Sequence, residues 1–167
     1  KGEYNVKEGF AEVAVPLLKD TTGFQELSLN GAIRVTDYSA SGTVTTWKAG
    51  ATWKPVQDFL LRGAYSRDIR APNLFELYSG AQSAIGIVND TVINGIGSGQ
   101  NVNVSSVISG NPNLEPETAK TLTVGAVFTP SFLPGFSMSI DYYNISVDKL
   151  IDQLSAQQIL TNCGNSA

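Results

Sequence analysis

At 167 residues the chain is long enough to bury the core of one domain, and its formal net charge of −4 argues against a nucleic-acid partner. Only 16% of residues are charged, against roughly 25% in ordinary globular chains, and Gly, Ser, Thr and Asn take their place. There is no histidine and a single cysteine, Cys163, which leaves no zinc-ligand spacing, no internal disulfide and no nucleophile–base pair of the usual kinds. No apolar run approaches the ~20 residues of a membrane helix. The chain opens on Lys1 inside strand-like sequence and reads as a piece of a longer protein.

Taken in order, EGFAEVAVPLL puts Ala11, Val13, Val15 and Leu17 on one face of a strand and Glu12, Ala14 and Pro16 on the other. Residues 19–23 form a turn cluster. Next, Leu27, Leu29, Gly31, Ile33 and Val35 alternate with Glu26, Ser28, Asn30, Ala32, Arg34 and Thr36, the cleanest period-2 signal in the chain. A polar loop at 39–43 leads to a third strand, in which Trp47, Ala49, Ala51 and Trp53 oppose Thr46, Lys48, Gly50, Thr52 and Lys54. Residues 55–58 connect tightly into a fourth, where Phe59, Leu61, Gly63, Tyr65, Arg67 and Ile69 oppose Leu60, Arg62, Ala64, Ser66, Asp68 and Arg70. Ala71-Pro72-Asn73 ends that strand, because Pro cannot donate to a ladder.

A long segment without clear periodicity then runs to about Glu117. Alternation resumes with Leu122, Val124, Ala126 and Phe128 against Thr121, Thr123, Gly125 and Val127. After the turn PSFLPG at 130–135, Phe136, Met138, Ile140 and Tyr142 alternate with Ser137, Ser139, Asp141 and Tyr143, and the strand frays near Asp148. From 149 to 163 the period becomes helix-like through Leu150, Ile151, Leu154, Ile159 and Leu160, with Ser155 placed to cap AQQIL. About six strands with no long helix between them predict an all-β antiparallel meander.

The connections sort by end. Those at 19–23, 55–58 and 130–135 are short; those at 71–117 and after 149, on the other side, are long. Transmembrane β-barrels show this asymmetry. Leu27 to Val35 spans roughly 27 Å along a strand and roughly 20 Å of depth when tilted by about 40°, close to the ~25 Å apolar band of such barrels. Asp37 and Arg67, which break the apolar face, lie near the long-loop end, where headgroups solvate charge. The opposite face carries Glu26, Arg34, Lys48, Arg62, Asp68 and Asp141, which suits a wet or plugged lumen. The reading is a partial transmembrane β-barrel with one long extracellular loop. A soluble β-sandwich or adhesin-like binding module is the alternative; it requires a second sheet over Leu27, Trp47, Leu61, Leu122 and Ile140.

RAPNLFELY at 70–78, GNPNLEPETAKTLTVGAVF at 110–128 and PSFLPGFSMSIDYYNISV at 130–147 resemble the barrel of TonB-dependent outer-membrane receptors of the proteobacterial type. EGFAEVAVPLL, ELSLNGAIRVTDYS and SAQQILTNC fit the same group, so the resemblance covers nearly all of residues 1–167. It implies a barrel of about 22 strands with a plugged lumen, in the outer membrane of a Gram-negative bacterium. The implied partners are membrane lipid, the protein's own plug domain, the TonB complex reached through an N-terminal region, and a small nutrient of the carbohydrate or siderophore class. On this reading the plug, the TonB-contacting segment and the barrel-closing strands belong to parts of the protein outside 1–167.

No cofactor or metal motif is visible. Asp68 with Glu76, or Glu115 with Glu117, could be drawn as acid–base pairs, but without a nucleophile the chain reads as a non-enzyme. Arg62, Asp68 and Arg70 have two readings, lumenal ion pairs including plug contacts, or direct ligand contacts; Asn73 and Glu76 join them as ligand or lumen candidates. Gly95-Ile96-Gly97-Ser98-Gly99 reads as a loop tip, since the Lys-Ser/Thr ending of a phosphate loop is missing. Asn89-Asp90-Thr91 and Asn103-Val104-Ser105 match the glycosylation triplet, which a bacterial context empties of meaning. Residues 111–117, NPNLEPE, read as a rigid return into the next strand. Cys163 either pairs with a cysteine elsewhere in the protein or is a free thiol. The long loop is rich in Gly, Asn and Ser, which favours a neutral hydroxyl-rich ligand over a strongly anionic one.

Overall fold

The computed structural model describes residues 3–90 and 97–165. Gly95, Ile96 and Thr91, parts of the loop-tip motif and of one glycosylation triplet, lie outside the described residues. The strands are β1 (Val6–Thr21), β2 (Phe24–Tyr38), β3 (Gly42–Val56), β4 (Phe59–Arg70), β5 (Gln82–Asn89), β6 (Asn101–Ile108), β7 (Glu117–Phe128) and β8 (Met138–Asp148); the helices are α1 (Leu74–Tyr78) and α2 (Ala156–Asn165). The described residues divide into two compact units, one of 3–71 with 115–150, the other of 72–90, 97–114 and 151–165.

The first unit is a six-stranded antiparallel meander in the order β1-β2-β3-β4-β7-β8. Its register carries the alternation across every strand. Val15, Leu29, Ala51, Gly63, Val124 and Tyr142 form one cross-strand row on the apolar face. One step along, Pro16, Ser28, Thr52, Arg62, Gly125 and Asp141 form a row on the polar face. A register shift between Pro16 and Leu18 brings Leu18 opposite Leu27. The bulge therefore takes Leu17 out of the apolar row expected for it and puts Leu18 there instead.

The apolar face is bare. Trp47, Leu122 and Ile140, which a sandwich must cover, are exposed, Ile140 by 71%. Trp53 is anchored at the short-turn end, where its Nε1 donates to the Gly23 carbonyl at 3.0 Å and its ring lies 5.6 Å from that of Phe24. Gly23 sits at φ 76°, the left-handed conformation that the tight β1–β2 turn requires. Trp47 packs edge-on against Tyr65, with ring centroids 5.5 Å apart. No described helix is long and apolar enough to cross a membrane, which says nothing about strands.

The second unit corrects the expectation of a segment without secondary structure. Residues 72–114 hold α1 and an antiparallel hairpin, β5–β6, registered from Gln82 opposite Ile108 to Asn89 opposite Asn101. Its alternation is broken by Gly86 and by Ser105-Ser106, so the sequence pattern is weak and the pairing carries the structure. The C-terminal helix also starts later than the periodicity suggests. Ser155 Oγ accepts from Gln158 N and Gln158 Oε1 accepts from Ser155 N, a reciprocal cap that opens α2 at Ala156 and leaves Leu150, Ile151 and Leu154 outside the helix.

Candidate functional site

On the polar face, β4 sets Arg62 two strands away from Asp141, with Gly125 of β7 between them. The missing side chain leaves room for the guanidinium to reach across. Arg62 Nη2 donates to both carboxylate oxygens at 2.8 Å and Nε donates to Oδ1 at 3.0 Å. A Cβ on Gly125 would lie 1.9 Å from Asp141 Oδ1 and 3.1 Å from Arg62 Nε. Both partners are about half exposed, so the pair orders the polar face more than it stabilises the sheet. Gly125→Ala is expected to swing Asp141 away and break the bidentate geometry at a cost of about 1 kcal/mol or less. Arg62 guanidinium N–H signals with unchanged exchange protection by NMR in the variant would show that the pair tolerates the methyl group.

Arg70, at the end of β4, faces Glu117 at the start of β7. Its Nε and Nη2 donate to the two carboxylate oxygens at 2.7 and 2.8 Å, and Glu117 is buried. This fork ties together the two strands that flank the long connection. Asp68 accepts from Ser66 Oγ at 2.7 Å. Just outside the strands, Lys149 hydrogen-bonds the Glu115 carboxylate, and that bond, then the ammonium charge, holds the Glu115 carboxyl below its ordinary value. A depressed carboxyl pKa contributes above the unfolded value and is lost as pH falls through the folded one.

The other two candidates belong to the second unit. Asn73 caps α1: its Oδ1 accepts from Glu76 N at 2.9 Å while Glu76 Oε2 accepts from Asn73 N at 2.8 Å. The reciprocal cap holds both side chains at the rim of a cavity of about 510 Å3. Asn111 joins them through a backbone bond, N to Glu76 O at 2.9 Å. Gly110 is tightly enclosed there; a Cβ would lie 2.6 Å from Ser79 N and 2.7 Å from the Leu77 carbonyl. In the same unit, Gln157 of α2 clamps Asn89, accepting from its N–H at 2.7 Å and donating to its carbonyl at 2.9 Å. Cys163 is a free, exposed thiol in this chain.

Of the five residues singled out from sequence, the structure thus keeps Arg62, Asp68 and Arg70 in the sheet and Asn73 and Glu76 in the second unit. Sequence reading missed their partners Glu117 and Gly125 and the cavity residues Phe75, Asn111 and Asp152. Counting back from the 130–135 turn would have placed Gly125 opposite Asp141; nothing local marked Asp152.

A family model described as "TonB dependent receptor-like, beta-barrel" matches residues 3–167. Among solved structures, the chain is similar to a variant of the ferric enterobactin receptor PfeA from Pseudomonas aeruginosa, with 16% identity, TM-score 0.64, and coverage of 86% of this chain and 18% of that one. It is also similar to the siderophore receptor PirA from Acinetobacter baumannii (21% identity, TM-score 0.61, 88% of this chain and 19% of that one). For PirA from Pseudomonas aeruginosa the figures are 19% identity, TM-score 0.62, and 86% and 24% coverage. The chain therefore spans about a fifth of the length of these structures.

Proposed function

From the premise that this chain belongs to the TonB-dependent receptor-like β-barrel family, we propose that it is one segment of an outer-membrane receptor for energised uptake of a scarce small nutrient. The observation that carries this is the two-faced sheet. One face presents continuous, exposed apolar rows to lipid; the other presents the Arg62–Asp141 pair and its polar neighbours to a plugged lumen. A soluble protein that left Val124, Ile140 and Tyr142 uncovered side by side would aggregate. The plug and the TonB-contacting region are supplied by other parts of the whole protein. The proposed nutrient is of the carbohydrate or siderophore class; the names of the similar structures, siderophore and ferric enterobactin receptors, support the second of these.

On this proposal the second unit supplies recognition and the sheet supplies the frame. Gly110 N donates to Ser79 O at 2.9 Å, so the two ends of the hairpin segment already meet. Excising 80–109 and closing the gap with a tight turn is expected to leave barrel assembly intact and to abolish most ligand binding. The readout is ligand affinity beside heat-modifiable gel mobility of the full-length receptor. Normal assembly with unchanged affinity would place recognition on other loops.

A further inference from the structure

We propose that Arg67 and Lys120 form a site, on the apolar face of the sheet, for the anionic phosphate of an outer-leaflet lipid headgroup. This rests on the receptor reading above, which turns that face to the membrane, and adds a binding site that uptake itself does not call for.

Strand pairing sets the two cations side by side. Arg67 of β4 stands directly opposite Lys120 of β7, and both belong to the apolar face. Side chains so placed have Cβ atoms about 4.5–5.5 Å apart, where like charges destabilise the pairing. Their partners leave that repulsion in place. Lys120 Nζ donates to Asp148 Oδ2 at 3.2 Å, a pair half exposed on both sides. Arg67 Nη1 donates to the Thr45 carbonyl at 3.3 Å, a neutral acceptor. Across β3, β4, β7 and β8, Asp148 is the only carboxylate on this face, so two cations meet one anion. A guanidinium and an ammonium each carry several N–H donors, so both keep some for a further acceptor.

The level is that of headgroups. Along β4 the face reads Phe59, Leu61, Gly63 and Tyr65 before it reaches Arg67. Along β7 it reads Phe128, Ala126, Val124 and Leu122 before Lys120. On β8, Met138, Ile140 and Tyr142 give way to Asn144, Ser146 and Asp148. The apolar band therefore ends one step short of the two cations, on the long-loop side, which such a receptor turns outward. Trp47 stands opposite Arg67 in the same row and packs on Tyr65, with ring centroids 5.5 Å apart. Amphipathic rings favour this level of a membrane.

Charge and surface together select the ligand. A phosphate monoester carries a charge of about −1.5 to −2 and several strong acceptor oxygens, which a guanidinium fork and an ammonium can share. Acyl chains attached to it would lie over Tyr65, Leu122 and Val124, which are 42–50% exposed. A soluble anion gains the first contact only, and a zwitterionic lipid offsets its own phosphate.

The test uses the full-length receptor purified in a neutral detergent, with bound lipid measured by native mass spectrometry. The probes are diphosphorylated lipid A, phosphatidylcholine, and inorganic phosphate as a competitor. Lipid A is expected to stay bound and phosphatidylcholine is not. Arg67→Gln and Lys120→Gln are each expected to lower lipid A affinity about fivefold, the worth of one base near an anionic lipid, and together about thirtyfold. Lys48→Gln removes the same charge from the polar face and should change nothing. Asp148→Asn leaves both cations in place and is expected to tighten binding, so the test does not depend on the cation variants assembling. Heat-modifiable mobility checks every variant.

Lipid A binding that Lys48→Gln weakens as much as the cation variants do overturns the proposal, since net charge then holds the lipid. Binding that no variant changes overturns it too. Displacement of lipid A by millimolar inorganic phosphate makes this a site for a soluble anion instead, and equal retention of phosphatidylcholine makes it an unselective apolar belt. A receptor that inserts into vesicles but retains no lipid A loses this site alone; one that does not insert at all loses the receptor reading.

Discussion

Leu29→Arg in the full-length receptor is expected to cut the yield of folded barrel sharply, whereas Ser28→Arg, one residue away, leaves it near normal. Leu29 sits in the middle of the apolar row formed with Val15, Ala51, Gly63, Val124 and Tyr142. That row lies inside the apolar band, two residues from Trp53 at the short-turn end and four from the charges Arg67 and Lys120 toward the other end of the same face. A charge there lands near the bilayer midplane, where Arg or Lys costs about 2–4 kcal/mol. No partner in the row can offset it. Ser28 shares its row with Thr52, Arg62 and Asp141, where a further guanidinium meets polar groups and water. The measurement is heat-modifiable mobility after refolding into vesicles. Equal yields from the two variants would mean that neither face meets lipid, and the transmembrane reading would fall.

Gly110→Ala is expected to loosen the second unit without disturbing the sheet. The added methyl would meet Ser79 N and the Leu77 backbone at 2.6–2.7 Å, and backbone atoms cannot swing aside as Asp141 can at Gly125. Overpacking of this kind costs about 1–3 kcal/mol. The bonds at risk are Gly110 N to Ser79 O and Asn111 N to Glu76 O, both 2.9 Å, which hold the return segment against α1. Leu77, fully buried beside them, would lose its packing. Amide exchange across 73–79 and 110–111 is expected to quicken by roughly 5–150-fold, the equivalent of that cost, while amides of β2, β3 and β4 keep their protection. Unchanged exchange in the second unit would show that the return segment yields to the methyl and that Gly110 is not a docking point.

The two variants differ in how visible their sites are in the sequence. Leu29 announces its environment through its neighbours: Leu27, Gly31 and Ile33 at spacing 2 leave no doubt about the face. Gly110 announces nothing, because its role depends on backbone groups more than thirty residues away. The candidates divide in the same way. Asn73 and Glu76 stand three apart, and a reciprocal cap is a local device that spacing alone could have suggested. Arg62 and Asp141 lie 79 positions apart and meet only because the pairing of β4, β7 and β8 brings them into one row.

The amino-acid sequence by itself determined the six-stranded meander, which residues face which side, and where the short turns lie. These follow from a period-2 pattern and from turn residues, both of which act between near neighbours. It also determined the cap at Ser155, a contact of three residues' span. Tertiary structure alone decided the rest. The Leu17 bulge depends on the register β1 finds against β2. The β5–β6 hairpin forms where alternation is weakest, because pairing with a partner strand, and not local preference, satisfies its backbone. The cavity of the second unit exists because chain segments separated by some forty residues, 109–114 and 151–153, pack beside α1, and no local spacing encodes such a meeting.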